Sequence, residues 1–285
     1  MSEQIAAVRH GGTAPRPEAE IAVARRYGTA EPAIAEWNDT IALLLAHRSV
    51  RGYLTRPLAP GVIETLVAAA SSAPTSSNVQ AWSVVAVTDP AKRARLAQIA
   101  GGQKHILDAP VILVWVADLS RAARVAQRQG TELVGIDYTD TFLVASIDAV
   151  LAAQNALVAA ESLGLGAVYI GALRNDPAGV AELLSLPPHA FAVVGLVVGH
   201  PDPAVATAVK PRLPQEVVLH RESYDPSRDA GIARHDADTL AFRETQRLPA
   251  QSWSELVTGR LRSIASLNGR HVLRDTLARL GLPLK

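Results

Sequence analysis

The sequence of 285 residues contains no cysteine. Disulfide bonds, zinc–thiolate sites, iron–sulfur clusters and cysteine nucleophiles are therefore excluded as bases for its function. Any redox chemistry must then use a cofactor that the protein binds. Aromatic residues are also scarce, at 4%, although hydrophobic residues make up 48% and charged residues 19%, as in an ordinary globular protein.

The sequence also lacks an excess of charge of one sign and a long hydrophobic run. Lys and Arg number 28 against 27 Asp and Glu, so the net charge of +1 creates no field that attracts nucleic acid. The longest strongly apolar stretches, residues 109–117 and 190–199, are far shorter than the roughly 20 residues that cross a bilayer. Residues 1–10 show no signal-peptide pattern. We expect a soluble, cytoplasmic protein with neither a nucleic-acid nor a membrane partner.

Hydrophobic periodicity predicts many helices and a few buried strands. The predicted helices cover residues 33–46, a segment after Pro60, and residues 90–99, 139–163 and 177–184, and the pattern is again helical beyond Pro214. The predicted strands cover residues 82–88, 110–116, 167–170 and 191–198. Because strands and helices do not alternate strictly, the pattern favours an α+β fold, with a doubly wound parallel sheet as the alternative.

Two segments have implications beyond the fold class. The predicted helix 139–163 is apolar nearly all round, so it must be covered on every side, either within its own domain or by a second subunit. We therefore expect a homodimer. Residues 1–33 contain a Gly11-Gly12 pair and several prolines that interrupt any long helix, which predicts a partly ordered N-terminal arm on the surface.

Several catalytic motifs are missing. There is no GxxxxGK[ST] phosphate loop, no HExxH and no GxSxG, and the glycines around Gly164 miss the dinucleotide-binding spacing. The eight histidines are scattered and none pairs with another at helical spacing, so we predict no metal site.

Two short basic segments remain as candidates. Arg48 and Arg51 flank the hydroxyl of Ser49, and guanidinium forks with a hydroxyl are what a phosphate monoester needs. In residues 210–214, two prolines stiffen the backbone so that Lys210 and Arg212 can point the same way. Each segment taken alone also fits a solvated surface connection.

Six motifs follow one another along the chain. They are residues 47–51 (HRSVR), 74–80 (PTSSNVQ), 101–105 (GGQKH), 153–166, 168–171 (VYIG) and 210–214 (KPRLP). In this order and spacing, from about Ile41 to Tyr224, they resemble the oxygen-insensitive NADPH nitroreductase and flavin reductase group of the nitroreductase superfamily. Residues 1–40 lie outside the resemblance.

The resemblance implies an α+β, nitroreductase-like fold, with a central mixed, mainly antiparallel sheet flanked by helices, in an intertwined homodimer. It implies an N-terminal extension or arm (1–40), an FMN-binding core (41–224) and a helical C-terminal region of the same domain (225–285). The implied activity is ping-pong reduction of nitroaromatics, quinones or related flat acceptors by NADPH or NADH, through N5 of bound FMN. The alternatives are a flavin reductase that supplies reduced FMN to a monooxygenase, and a non-catalytic FMN-binding or sensing protein.

The resemblance also assigns roles to residues. Arg48 and Ser49 would hold the FMN phosphate together with Lys210 and Arg212, and no side chain would act as a nucleophile. Arg51 would tune the flavin potential, and the backbone N–H of Gly171 would lie near N5. The full implied cofactor-binding set is His47, Arg48, Ser49, Arg51, Thr75, Ser76, Asn78, Gln103, Tyr169, Ile170, Gly171, Ala172, Lys210 and Arg212.

Three further residues are implied on the substrate and NADPH side, namely Ser77, Arg243 and Arg247. Two positions depart from the pattern of the group. Ala172 replaces the second glycine of the usual Gly-Gly pair, and Glu244 interrupts the basic stretch that would contact the NADPH 2′-phosphate.

Overall fold

Four strands form one antiparallel sheet in the computed structural model, which describes residues 17–29 and 34–285. The strands are β1 (Trp82–Val87), β2 (Val111–Asp118), β3 (Gly166–Ile170) and β4 (Ala190–Gly199), in the spatial order β1-β2-β4-β3. All pairings among the described residues are antiparallel, where a mixed but mainly antiparallel sheet was expected. The α+β class is confirmed, and the alternative of a doubly wound parallel sheet is wrong.

The helices account for most of the remaining structure. Within the described residues they are α1 (Pro17–Tyr27), α2 (Asp39–Leu45), α3 (Val62–Ser71), α4 (Pro90–Ile99), α5 (His105–Asp108), α6 (Ser120–Gln129), α7 (Thr139–Ser162), α8 (Pro177–Leu184), α9 (Gln215–Val218), α10 (Ile232–Thr245), α11 (Trp253–Leu261) and α12 (Leu273–Arg279).

The chain divides into two compact units. The first comprises residues 17–29, 34–48 and 208–262 and contains α1, α2, α9, α10 and α11. The second comprises residues 49–207 and 263–285 and contains the whole sheet with the other helices. The three regions predicted from the sequence, 1–40, 41–224 and 225–285, stay a prediction.

In the second unit, alternate side chains of β2 enter two different cores. Leu113 and Trp115 pack with α3 and α7, whereas Ile112 and Val114 pack with α4 and α8 on the other face. All residues of β2 are buried. A strand covered on both faces has no polar face, which explains why an antiparallel strand has an uninterrupted apolar sequence.

Helix α7 is long and apolar enough, by length and composition, to cross a membrane. Its small side chains, among them Ala152, Ala156 and Ala160, are nevertheless completely buried against α3 and the sheet. This is the packing of a core helix. A stripe on α7 stays exposed and consists of Leu143, Ile147, Val150 and Leu151.

The structure corrects one expectation near the N-terminus. Helix α2 begins at Asp39 rather than at residue 33, because the side chain of Asn38 accepts a hydrogen bond from the Ile41 N–H (2.9 Å) and caps the helix there. Residues 17–29 of the predicted surface arm include α1, whose side chain Val23 is only 1% exposed. Residues 1–16 and 30–33 lie outside the described residues.

Candidate cofactor site

In the first unit, the segment 210–214 presents its cations on one side. Lys210 and Arg212 are exposed, whereas Pro211 and Pro214 are buried. The alternation of exposed and buried positions places both basic side chains on the solvent side of the segment. That the two cations point the same way stays a prediction.

A single buried guanidinium joins this segment to the other basic segment. Arg26, at the C-terminal end of α1, donates from Nη1 to the carbonyl oxygen of Lys210 (2.9 Å). From Nη2 it donates to the carbonyl oxygens of Leu45 (2.7 Å) and His47 (2.8 Å). The backbone N–H of Arg212 donates in turn to the carbonyl oxygen of Arg26 (2.9 Å). The residues before Arg48 and the residues around Lys210 therefore lie within the span of one side chain.

The same unit contains a largely apolar cavity of about 500 Å³. Lys210, Arg212 and Arg243 line it, together with His235 and Trp253. Arg243 is held in place by a hydrogen bond from its Nε to the carbonyl oxygen of Pro249 (2.7 Å). Among the described residues, Arg243 lines the cavity and Arg247 does not. Arg247 follows α10 and has a left-handed backbone conformation (φ 53°).

His235 is a buried, titratable side chain in the lining of this cavity. The ring is 3% exposed and packs edge-on against Trp253, with ring centroids 5.6 Å apart. Burial lowers the pKa of His235, the charge of Arg212 lowers it further, and Asp238 and Asp236 oppose both effects. The imidazole is thus biased toward its neutral form, which leaves the arginines and Lys210 as the cations of the cavity lining.

In the second unit, residues 49–51 run beside β3. The N–H of Val50 donates to the carbonyl oxygen of Ala167 (3.0 Å), and the Val50 side chain is 4% exposed. This anchoring leaves Arg51 exposed. Burial lowers the pKa of His105, and the charge of Arg51 lowers it further. That Arg51 and Gln103 belong to one site stays a prediction.

The backbone of the loop that contains the predicted residues Thr75, Ser76, Ser77 and Asn78 is hydrogen-bonded to the side chain of Asp148. This carboxylate, 1% exposed in the middle of α7, accepts hydrogen bonds from the N–H of Ser76 at Oδ1 (3.1 Å) and of Ala81 at Oδ2 (3.1 Å). Ser77 and Asn78 have left-handed backbones, with φ of 49° and 54°. The side chains of Ser76, Ser77 and Asn78 are exposed, so the loop presents its polar groups outward.

The last predicted segment follows the end of β3. Tyr169 is half-buried and its hydroxyl donates to Oε1 of Gln154 (3.3 Å). Burial raises the pKa of Tyr169 well above its usual range. After Ile170 the chain leaves the sheet and enters a 3₁₀ turn, Gly171–Asn175, in which Gly171 and Ala172 are partly exposed.

The predicted site residues therefore fall into two groups. His47, Arg48, Lys210, Arg212, Arg243 and Arg247 belong to the first unit, and the others belong to the second. Sequence reasoning missed Arg26 and Asp148. Asp148 carried a signal, since it is a carboxylate within an otherwise apolar helical segment, whereas Arg26 lies outside every motif.

Comparisons with known proteins cover most of the chain. The model of the nitroreductase family matches residues 44–200, and the model of its C-terminal domain matches residues 210–285. Both ranges exclude α1. An FMN reductase (NADPH) of Bacillus subtilis is 42% identical over 228 residues, which is 77% of this chain and 90% of that protein.

Two further comparisons agree with these. An oxygen-insensitive NADPH nitroreductase of Salmonella typhimurium is 38% identical over 220 residues, covering 76% of this chain and 89% of that one. The solved structure of an NADPH:FMN oxidoreductase from Vibrio harveyi, complexed with NAD+, superposes with a TM-score of 0.77 at 38% identity, covering 87% of this chain and 100% of that chain.

Proposed function

The chain belongs to the nitroreductase family, and we propose on this premise that it is an FMN-dependent NAD(P)H oxidoreductase that reduces nitroaromatics, quinones or related flat acceptors. The observation that carries the proposal is the set of hydrogen bonds from Arg26 to the carbonyl oxygens of His47 and Lys210. They bring the start of the basic segment 47–51 and the start of the segment 210–214 to one side chain. The names of the relatives support the use of FMN and of a nicotinamide donor.

The donor set in the first unit fits the phosphate of FMN. Arg48, Lys210 and Arg212 are all exposed cations, on segments tied to one guanidinium. A phosphate dianion needs several charge-assisted donors in a small space, and arginine forks meet it with two parallel hydrogen bonds. We assign these three residues to the phosphate, with Ser49 as a hydroxyl donor and His47 as their neighbour.

We assign the second-unit group to the ribityl chain and the ring of FMN. The group consists of Arg51, Thr75, Ser76, Asn78, Gln103, Tyr169, Ile170, Gly171 and Ala172. The chemistry that bound FMN supplies is acceptance of a hydride at N5 from the nicotinamide and its transfer to the acceptor. Arg51 is an exposed, permanently charged side chain, and beside the pyrimidine edge of the ring it would stabilise negative charge there. No side chain of this chain is required as a nucleophile.

Donor and acceptor would bind on the open side of the ring. We assign Ser77, Arg243 and Arg247 to this side. Arg243 is the better supported of the two arginines, because it lines the same cavity as Lys210 and Arg212. Since both substrates would stack in the same place, they would react one after the other. We place the enzyme in the cytoplasm, where its nicotinamide donor is available.

We further propose that the protein is a homodimer. The exposed side chains Leu143, Ile147, Val150 and Leu151 are spaced at i, i+4, i+7 and i+8 along α7. They therefore form one apolar stripe on a helix whose other side is already buried in the core. A second copy of the chain is the partner that would cover this stripe.

Steady-state kinetics test the activity. With NADPH or NADH as donor and a quinone or nitroaromatic as acceptor, double-reciprocal plots should give parallel lines, as ping-pong turnover requires. The alternative, a flavin reductase serving a monooxygenase, is distinguished by filtering the enzyme during turnover. Reduced flavin in the filtrate would favour that alternative, whereas flavin retained with the enzyme favours direct reduction of the acceptor. Absence of turnover with flavin bound would contradict both and favour a sensing protein.

A further inference from the structure

Arg26 occupies a position that neither the family match nor the site motifs include. It is 5% exposed, and its guanidinium hydrogen-bonds the carbonyl oxygens of Leu45, His47 and Lys210. We propose that Arg26 is a positioning residue for the FMN phosphate, through which α1 sets the spacing of the two phosphate-binding segments. This inference rests on the proposed function.

The backbone groups that contact Arg26 belong to peptide units beside the proposed phosphate ligands. The carbonyl of His47 is part of the peptide bond that joins it to Arg48. The carbonyl of Lys210 and the N–H of Arg212 lie on either side of Pro211, and both contact Arg26. Fixing these peptide planes fixes where the side chains of Arg48, Lys210 and Arg212 begin.

An arginine suits this position for a physical reason. The carbonyls of Leu45 and His47 lie at the C-terminal end of α2, where backbone acceptors lack partners within the helix and the helix dipole favours a cation. A planar guanidinium can donate to these two carbonyls and to a third, across a sequence separation of 184 residues, in one fixed geometry. A lysine would keep the charge but not the fork.

Helix α1 is anchored well enough to hold Arg26 in place. Val23 and Ala19 are buried at 1% and 3% exposure, on the same side of the helix as Arg26. The helix is followed by Gly28 in a left-handed conformation (φ 76°), where an added Cβ would lie 2.8 Å from Cγ of Asp238. The supporting helix lies outside the ranges that match the family models.

The test compares FMN with riboflavin, which has the same ring and ribityl chain but no phosphate. Dissociation constants for both would be measured by flavin fluorescence quenching for the full-length wild type, Arg26→Ala, Arg26→Lys and Arg25→Ala. Arg25 is the matched control, because it is the neighbouring arginine of the same helix and is exposed. Urea unfolding would be recorded for each variant.

We expect Arg26→Ala to weaken FMN binding about tenfold or more while riboflavin binding changes by less than about twofold. Arg26→Lys should also lose FMN affinity, since the fork rather than the charge does the positioning. Arg25→Ala should match the wild type. Equal losses for FMN and riboflavin would overturn the inference in favour of general damage to the fold, and so would full FMN affinity in Arg26→Lys.

The outcome also separates this inference from the proposed function. If the wild type binds FMN no better than riboflavin, the phosphate assignment fails and the role of Arg26 fails with it. If the wild type prefers FMN and both Arg26 variants keep that preference, only the role of Arg26 is wrong. Should Arg26→Ala not fold, Arg26→Lys provides the same comparison.

Discussion

Asp148 accepts a hydrogen bond from the backbone N–H of Ser76, with 3.1 Å between Oδ1 and N, and thereby links the middle of α7 to the loop that we assign to the flavin. Its second oxygen accepts from the N–H of Ala81. One buried carboxylate thus closes both ends of a loop whose residues Ser77 and Asn78 have left-handed backbones.

Replacing Asp148 by alanine should lower the free energy of unfolding by about 3 kcal/mol, because two N–H groups lose a charged acceptor. FMN affinity should fall as well, since the loop is no longer held. Urea unfolding and flavin titration measure the two effects. The control is Asp140→Ala, an exposed aspartate in the first turn of α7, where the loss should be at most about 1 kcal/mol. Equal losses in the two variants would refute the role of Asp148.

A methyl group added at Gly166 should displace the segment that carries Ser49 and Arg51. The added Cβ would lie 2.8 Å from the side-chain carbons of Val50, which is buried and whose N–H is bonded to Ala167. We expect Gly166→Ala to destabilise the fold by about 1–3 kcal/mol and to weaken flavin binding.

A double-mutant cycle checks this clash. Val50→Ala should cost stability in the wild type but restore part of it in Gly166→Ala, because it removes two of the three Val50 carbons that lie 2.8 Å from the added methyl group and leaves only Cβ there. Gly135→Ala is the control, since nothing lies within 4 Å of its added Cβ. Strictly additive effects of Val50→Ala and Gly166→Ala would show that the two residues do not clash.

Asp118 should make the free energy of unfolding depend on pH in the acid range. Burial alone would raise its pKa, but hydrogen bonds from Ser120 and Ser83 and the charge of Arg121 hold it below its usual value. Because the folded-state pKa is lower than the unfolded one, the unfolded chain binds more protons as the pH falls through the unfolded pKa. The stabilisation by Asp118 is therefore present above about pH 4 and is lost as the pH falls through the folded pKa.

Asp118→Asn should flatten the dependence of unfolding free energy on pH below about pH 4. Urea unfolding curves recorded from neutral pH down to pH 3 would measure the slope, with the exposed Asp229→Asn as a charge-matched control. An unchanged slope in Asp118→Asn would mean that this carboxylate is not the one that titrates.

The apolar stripe of α7 gives a test of the dimer. Ile147 is 56% exposed at the centre of the stripe, so Ile147→Glu should place a charge in the proposed interface and yield a monomer by sedimentation velocity. Val125→Glu adds the same charge at an exposed apolar position on α6 and should remain dimeric. A wild type that sediments as a monomer, or an Ile147→Glu variant that stays dimeric, would contradict the proposal.

Much of the fold could be predicted because the signals are local. Helices α4 and α8 have the predicted bounds, since Pro90 and Pro177 mark their first turns and an aspartate caps each one. The central strand β2 was visible as an apolar run. The order of the strands, with β4 between β2 and β3, and the bulge at Trp115 and Val116 depend on long-range pairing that no local pattern records.

The sequence predicted site residues only where a recognisable motif contains them. The motifs identified the exposed cations Lys210, Arg212 and Arg51, whose roles toward the cofactor stay predictions. Arg26 and Asp148 could not be found in this way, because their partners are distant along the chain. Helix α1 is held by hydrogen bonds from Arg26 to the carbonyl oxygens of residues 45, 47 and 210, and local propensity does not record these contacts.

The most direct test of the central claim is the visible absorbance spectrum of the purified protein with FMN, recorded anaerobically while NADPH and NADH are added in separate cuvettes. The account predicts a protein-bound flavin spectrum that bleaches with at least one of the two donors and recovers when a quinone is added. A protein that takes up no FMN, or a bound flavin that neither donor bleaches, would contradict it.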